Sequence, residues 1–287
     1  MVKRQRVGWL RLVLCGLLMT PWTLNAAAAT KPAIVLTAFG TSTEAFATYQ
    51  HLEGQIKQRF PDHEIRWAFT SVKVRDKVAQ EQGRQLQDLG TTPRELKAAG
   101  YDRVAVQSLH IVPGEEWEKK IVQVSREIAG LKIALGKPLL SSPEDQEKVL
   151  QAVSQTFPKD LKNTAVVLVA HGSPIPQGEA AYLAFDRLLR SRYPNVFLGT
   201  VAGKPSREEV MAAVKQAQVA TVVLRPFLLV AGEHVAKDVL GDDPESWKSE
   251  LLKQKPYRLE GVTQGLGYLD GIVAVYLEHL AQALKTL

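Results

Sequence analysis

One pattern, written twice, limits the folds open to this chain. Residues 165–174 read Ala165-Val-Val-Leu-Val-Ala-His-Gly-Ser-Pro174, and residues 33–41 read Ala33-Ile-Val-Leu-Thr-Ala-Phe-Gly-Thr41. Each is an apolar run, rich in β-branched residues, that stops at a glycine turn. A run without polar alternation predicts a strand buried on both faces, as in a parallel sheet. Aligned, Ala38-Phe39-Gly40-Thr41 falls on Ala170-His171-Gly172-Ser173. The match continues downstream. A helix is predicted over 43–60 and again over 178–193, each closing on Arg-aromatic-Pro. A short strand follows over 64–69 and 196–201. A second helix starts near Pro93 and near Ser206, and a third strand covers 103–111 and 221–229. The loop after that strand also repeats: Leu109-His-Ile-Val-Pro-Gly-Glu-Glu116 matches Phe227-Leu-Leu-Val-Ala-Gly-Glu-His234, so Glu116 takes the place of His234.

Two βαβαβ halves in tandem predict an α/β fold of two domains, with parallel sheets flanked by helices and a cleft between them. The expected boundaries are 30–145 and 146–287. Ser142-Pro143 opens a helix that runs to Phe157 across the junction. The first half has an extra polar stretch, 72–89, which reads as a helical excursion over the cleft. The last helix, 270–284, carries an apolar stripe at Ile272, Val273, Tyr276, Leu277, Leu280 and Leu284, and is expected to pack across the domains. His279 lies beside that stripe and reads as structural.

Residues 1–29 are expected to be a secretory signal peptide. Lys3, Arg4, Arg6 and Arg11 precede a mostly apolar run over 12–24, which ends in the small residues Asn25-Ala-Ala-Ala-Ala29. The run is short for a membrane span and is interrupted by Pro21, so no integral membrane segment is expected after cleavage. The expected destination is the periplasm. The segment holds four of the chain's 36 basic residues, which leaves 32 against 30 acidic ones. The basic balance is therefore largely the export signal and no nucleic-acid footprint. The single cysteine, Cys15, leaves with the signal, so any metal must be held by His and carboxylate.

In a parallel βαβαβ unit the strand-end loops open at one edge, where ligands bind. His171 ends the first strand of the second half and His234 follows its third, so two imidazoles can meet there. Glu116, from the matching loop of the first half, would face them. Two histidines with carboxylates suit Co²⁺, Ni²⁺, Fe²⁺ or Zn²⁺. Plainer alternatives stand beside this: a hydrogen-bonded strand-end histidine at 171, and a helix cap at 234. Phe39-Gly40-Thr41-Ser42 opens a helix and could receive an anion. The glycine spacings of phosphate loops and dinucleotide sites are absent, and no nucleotide is expected. No nucleophile elbow surrounds Ser173. Lys73, Arg75 and Lys77 read as a solvated face, or as contacts to substrate carboxylates if the excursion covers the cleft.

A series of motifs occurs in order: Thr37-Ala-Phe-Gly-Thr-Ser42, Ala68-Phe-Thr-Ser71, Gln107-Ser-Leu-His-Ile111, Pro138-Leu-Leu-Ser-Ser142, Ala170-His-Gly172, Leu229-Val-Ala-Gly-Glu-His234, Asp242-Asp243 with Ser246-Trp-Lys248, and Gly265-Leu-Gly267. Through them the mature chain, over essentially its whole length, resembles the anaerobic cobalt chelatases of the CbiK type, in an exported form. The resemblance implies a class II chelatase fold with a tetrapyrrole in the cleft, and ATP-independent insertion of Co²⁺ into sirohydrochlorin. It implies that His171 and His234 bind the metal and that both act in catalysis with Glu116. Phe39, Gly40, Thr41, Ser42, Gly232 and Glu233 are assigned to substrate binding, and Arg75 and Lys204 to its acidic arms. A further metal-binding glutamate is implied after the second strand of the second half, where this chain instead reads Thr200-Val201-Ala202-Gly203. An exported carrier of metal or tetrapyrrole on the same scaffold, or a chelatase for Fe²⁺ or Ni²⁺, is the alternative. Whether the chain forms a homo-oligomer is left open.

Overall fold

The computed structural model describes residues 31–233 and 235–287. The expected signal peptide, 1–29, and His234 lie outside the described residues. β1 (Ala33–Ala38) is buried at all six positions. It pairs in parallel with β2 (Ile65–Phe69) on one side and β3 (Arg103–Ser108) on the other. A fourth strand, β4 (Lys132–Gly136), extends β3, giving the order β2-β1-β3-β4. The second half repeats this with β5 (Thr164–Gly172), β6 (Val196–Ala202), β7 (Thr221–Pro226) and β8 (Arg258–Gly261), in the order β6-β5-β7-β8. The sequence pattern predicts three strands per half and misses β4 and β8. Both are short edge strands with exposed charged residues, so neither carries the apolar run that marks the inner ones.

The helices begin where local chemistry dictates. α1 (Ala47–Arg59) is entered through a single 3₁₀ turn, Glu44–Phe46, capped by Thr43. α2 (Val72–Gln82), the excursion, is capped by the Ser71 hydroxyl and stops at Gly83 in the left-handed region. α3 (Thr92–Ala98) precedes β3, and α4 (Gln123–Arg126) precedes β4. α5 (Pro143–Ser154) has Ser142 as its cap and Pro143 in its first turn. α6 (Pro176–Arg192) follows β5, and α7 (Arg207–Gln216) opens on a full capping box between Ser206 and Glu209. α8 (Trp247–Gln254) and α9 (Asp270–Lys285) complete the chain. No helix among the described residues is long and apolar enough to cross a membrane.

All strands of the first sheet precede residue 145 and all of the second follow 146, yet the halves share a core. One apolar cluster joins Ile34, Leu36 and Ala105 of the first sheet to Val166, Leu168 and Ala170 of the second. α9 packs against β3, β4 and α5, so the end of the chain returns to the first sheet. Its Tyr276 hydroxyl reaches the carbonyls of Leu109 and His110 at 3.2 and 3.1 Å. His279, buried on the same face, lies 3.0 Å from both the Lys137 carbonyl and the Asp145 carboxylate. It ties α9 to α5 and to the loop after β4, the structural part its place beside the stripe predicts.

Candidate functional site

The carboxyl ends of β1, β3, β5 and β7 open onto one cavity of about 410 Å³. Its walls include Phe39, Gly40, Thr41 and Ser42 from the turn after β1, Glu116 from the loop after β3, His171 from the end of β5, and Gly232 and Glu233 from the loop after β7. Of the predicted metal, catalytic and substrate-binding residues, all the described ones except Arg75 and Lys204 therefore line the same space. His234 cannot be placed, because it lies outside the described residues. Val74 of α2 adds a side wall, so the excursion does border the cleft.

The repeat determines how the two halves meet. Gly114 approaches Ser173 so closely that an added Cβ would lie 3.1 Å from the Ser173 hydroxyl. Gly232, its repeat equivalent, would place a Cβ 3.1 Å from the hydroxyl of Thr41, the equivalent of Ser173. Each half thus rests its third-strand loop on the first-strand turn of the other. The strand-end glycines are held alike: the Gly40 N–H donates to the Tyr49 hydroxyl at 3.1 Å, and the Gly172 N–H to that of Tyr182. Both tyrosines are buried and line the cavity, and burial pushes both phenols well above their ordinary range. In both halves the loop after the third strand winds into a π-helix, Glu116–Val122 and Val235–Val239. Such π turns concentrate at functional sites because they re-aim side chains out of the regular helical register.

The charge inventory of the walls is one-sided. Three carboxylates, Glu115, Glu116 and Glu233, line the cavity, and no Lys or Arg does among the described residues. Glu115 is paired with Lys119 at 2.6 Å. Glu233 is paired with Lys237 at 2.6 Å and with Lys77 of α2 at 3.6 Å, a contact that joins the excursion to the second half. The Lys237 hydrogen bond and charge, with Lys77 behind them, hold the Glu233 carboxyl below its usual range. Glu116 differs, since its Oε2 is sealed from solvent and has no partner. A buried carboxylate oxygen without a donor or cation is costly to keep, and marks a place where a ligand completes the set. No three His, Cys, Asp or Glu side chains among the described residues stand close enough to hold a metal by themselves.

The turn Phe39–Ser42 is partly committed within the chain. The Thr43 and Ala45 N–H groups already donate to the Thr41 and Thr43 hydroxyls, the Gly40 N–H is taken by Tyr49, and the Ser42 carbonyl accepts from Gln82. These residues face the cavity through other atoms, above all the half-exposed Phe39 ring. One expectation needs correction: Arg75 does not offer its guanidinium to a substrate, for it donates to the Phe69 carbonyl at 2.6 Å and lies 3.4 Å from Asp88. Lys204 sits 3.7 Å from Glu209, outside the cavity walls.

The sequence pattern overlooks His110, which also lines the cavity. The residue retains some exposure, but its Nε2 is sealed and unpartnered. Burial pushes its pKa from 6.5 down to about 4. The unfolded chain therefore binds this proton first, and stability contributed by the neutral ring is lost as pH falls from about 6.5 toward 4. Between pH 7 and pH 5 the wild type is expected to lose about 2 kcal/mol more than His110→Leu. Denaturant titrations at both pH values read this directly, and equal losses would show that the ring is not held neutral.

Comparison with known proteins agrees with this architecture. A family model described as cobalt chelatase (CbiK) matches residues 32–285. The chain is 34% identical over 263 residues to the sirohydrochlorin cobaltochelatase CbiKC of Nitratidesulfovibrio vulgaris, across 90% of this chain and 92% of that protein. It is 32% identical over 263 residues to the sirohydrochlorin cobaltochelatase of Salmonella typhimurium, across 89% and 97%. In fold it is similar to SirB from Bacillus subtilis solved with Fe³⁺, with a TM-score of 0.61 at 18% identity, covering 88% of this chain and 95% of that one. It is likewise similar to CbiX, a terminal enzyme of sirohaem biosynthesis in denitrifying bacteria, with a TM-score of 0.51 at 16% identity, covering 88% and 99%.

Proposed function

The chain belongs to the CbiK family of cobalt chelatases, and on that premise we propose that it inserts Co²⁺ into sirohydrochlorin without a nucleotide. One observation carries the reading: His171 and Glu116, from strand-end loops of opposite sheets, line one cavity in which Glu116 Oε2 lacks a protein partner. Insertion requires the macrocycle to lose its pyrrolic N–H protons and the metal to lose water. His171 accepts a proton or holds the metal from the second half, and Glu116 does so from the first, each within reach of a flat ring between them. Among the described wall carboxylates Glu115 and Glu233 are already paired with lysines, which leaves Glu116 as the one whose charge is free to favour a divalent cation. His234 joins His171 in this proposal through its place after the third strand of the second half and through the resemblance.

The deciding experiment follows the absorbance of sirohydrochlorin with Co²⁺ and catalytic amounts of the mature protein. Turnover beyond one equivalent is expected. A stoichiometric complex without turnover would favour the carrier alternative.

Export is part of the proposal. The basic, apolar, small-residue order of 1–29 supports a mature N-terminus between Ala28 and Lys31 and a periplasmic protein. N-terminal sequencing of the periplasmic fraction reads it, and a retained Met1 in the cytoplasmic fraction overturns it.

Ala202 tests how far this chain departs from the pattern that the resemblance implies. It is exposed and lies in register with Gly172, one residue beyond His171. Alanine offers no donor atom, so the metal shell must be completed by water or another carboxylate. Ala202→Glu is expected to tighten resting Co²⁺ binding on the order of ten-fold and to slow release into the macrocycle. Titration calorimetry checks this, and unchanged affinity means that position 202 does not face the metal.

A further inference from the structure

We infer that His110 reads the substrate: its Nε2–H donates a hydrogen bond to a carboxylate arm of the macrocycle, an inference that rests on the chelatase reading above. His110 is the second residue beyond β3 and is fixed from behind. Its N–H donates to Ser108 Oγ at 3.3 Å, and its carbonyl accepts from the Leu139 N–H at 3.0 Å and from the Tyr276 hydroxyl at 3.1 Å. Ser108 Oγ also lies 3.1 Å from the ring Nδ1. That oxygen already accepts from the His110 N–H, and Ser108 is fully buried with no other acceptor in reach. Its proton therefore goes to Nδ1. Assigned from this network, the ring carries its own proton on Nε2.

Three observations turn that N–H toward a ligand. Nε2 is closed off and unpartnered in a residue that lines the cavity, and buried donors without acceptors are rare in native proteins. The repeat equivalent of His110 is Leu228, which lines the same cavity, so the loop can be built without a histidine. Finally, the walls hold no Lys or Arg among the described residues, and Arg75 is committed elsewhere. Where acidic arms of the substrate enter this cavity, neutral donors must meet them. A ring that burial keeps neutral does so without adding a positive charge that would repel the incoming metal.

The test separates macrocycle binding from metal binding. Metal-free sirohydrochlorin is titrated by absorbance, and Co²⁺ alone by calorimetry, into wild type, His110→Leu, His110→Gln and Ser108→Ala. His110→Leu, which copies Leu228, is expected to weaken macrocycle binding roughly ten-fold or more and to leave Co²⁺ affinity unchanged. His110→Gln keeps an N–H donor and should recover part of the loss. Ser108→Ala frees Nδ1 and should weaken binding by a smaller factor. A folded His110→Leu protein that binds the macrocycle like wild type overturns the inference. So does a loss confined to Co²⁺, which would place Nε2 on Glu116 instead. Should His110→Leu not fold, Ser108→Ala decides, and unchanged macrocycle affinity there overturns the inference. A wild type that binds no macrocycle at all refutes the chelatase reading itself, before any variant is compared.

Discussion

Replacing His171 with alanine is expected to lower the initial rate of Co²⁺ insertion by roughly two to four orders of magnitude, the range lost when a positioned acid–base group is removed. The fold should survive. Seven residues of β5, Thr164 to Ala170, are buried and Val166 to Val169 pair with strands on both sides, whereas His171 is exposed where the strand leaves the sheet. The ladder is made by the backbone, which the substitution leaves in place, and exposed substitutions typically change stability by about 0.5 kcal/mol or less. Rates at saturating and at limiting Co²⁺, with a melting curve for each protein, test the two halves of this expectation. A variant that kept the wild-type rate at limiting Co²⁺ would remove His171 from the site. His234→Ala is expected to behave alike.

The inner architecture was readable because it is written in runs of one kind. β1 and β5 are buried almost throughout, and an unbroken apolar run ending at glycine has few other ways to fold. The helix starts at Ser142-Pro143 and Ser206 were readable because capping is local chemistry. Alignment of the halves then placed His171 and Glu116 at one edge, and they line one cavity. What escaped was of another kind. The π turns after β3 and β7 follow no periodic sequence rule, though they fall at the same place in both halves. The charge of Arg75 was legible, but not that it turns inward to the Phe69 carbonyl. Nor was it legible that the Gly40 N–H of the first turn is taken by the Tyr49 hydroxyl. The repeat does not mark His110, because its partner there is Leu228. Its orphaned nitrogen exists only in three dimensions.

The halves are alike in frame and unlike in chemistry, and the difference lies in a few positions. His171 stands opposite Phe39 in the alignment, and the described Glu116 opposite His234. The shared devices are the tyrosine that holds each strand-end glycine and the glycine that rests on the opposite turn. A frame built twice thus presents an aromatic face and a carboxylate from one side and an imidazole from the other. A flat ring between them would meet different groups on its two faces, which suits a reaction that must bring a metal and remove protons.

The frame is least tolerant at Gly172, and Gly172→Ala is expected to cost about 3–5 kcal/mol of stability, near the upper end for single substitutions. Two penalties coincide there. The residue has φ of +98°, where an L side chain is strained by roughly 1–3 kcal/mol. A Cβ built on it would also lie 1.6 Å from the carbonyl oxygen of Ala202, its partner across β5 and β6. The obstructing atom is backbone, so no rotamer change relieves the clash. Either the end of β6 moves away or the β5 terminus twists and carries His171 with it, so activity should fall even in molecules that remain folded. Gly83→Ala separates the two penalties. It too has positive φ, +63°, at the end of α2, but an added Cβ there meets nothing within 4 Å. It should cost only about 1–2 kcal/mol and leave the insertion rate unchanged. Denaturant unfolding and insertion rates for the pair provide the comparison. If Gly172→Ala proved as mild as Gly83→Ala in both, the close approach of β5 to β6 would not be what holds His171 in the cavity wall.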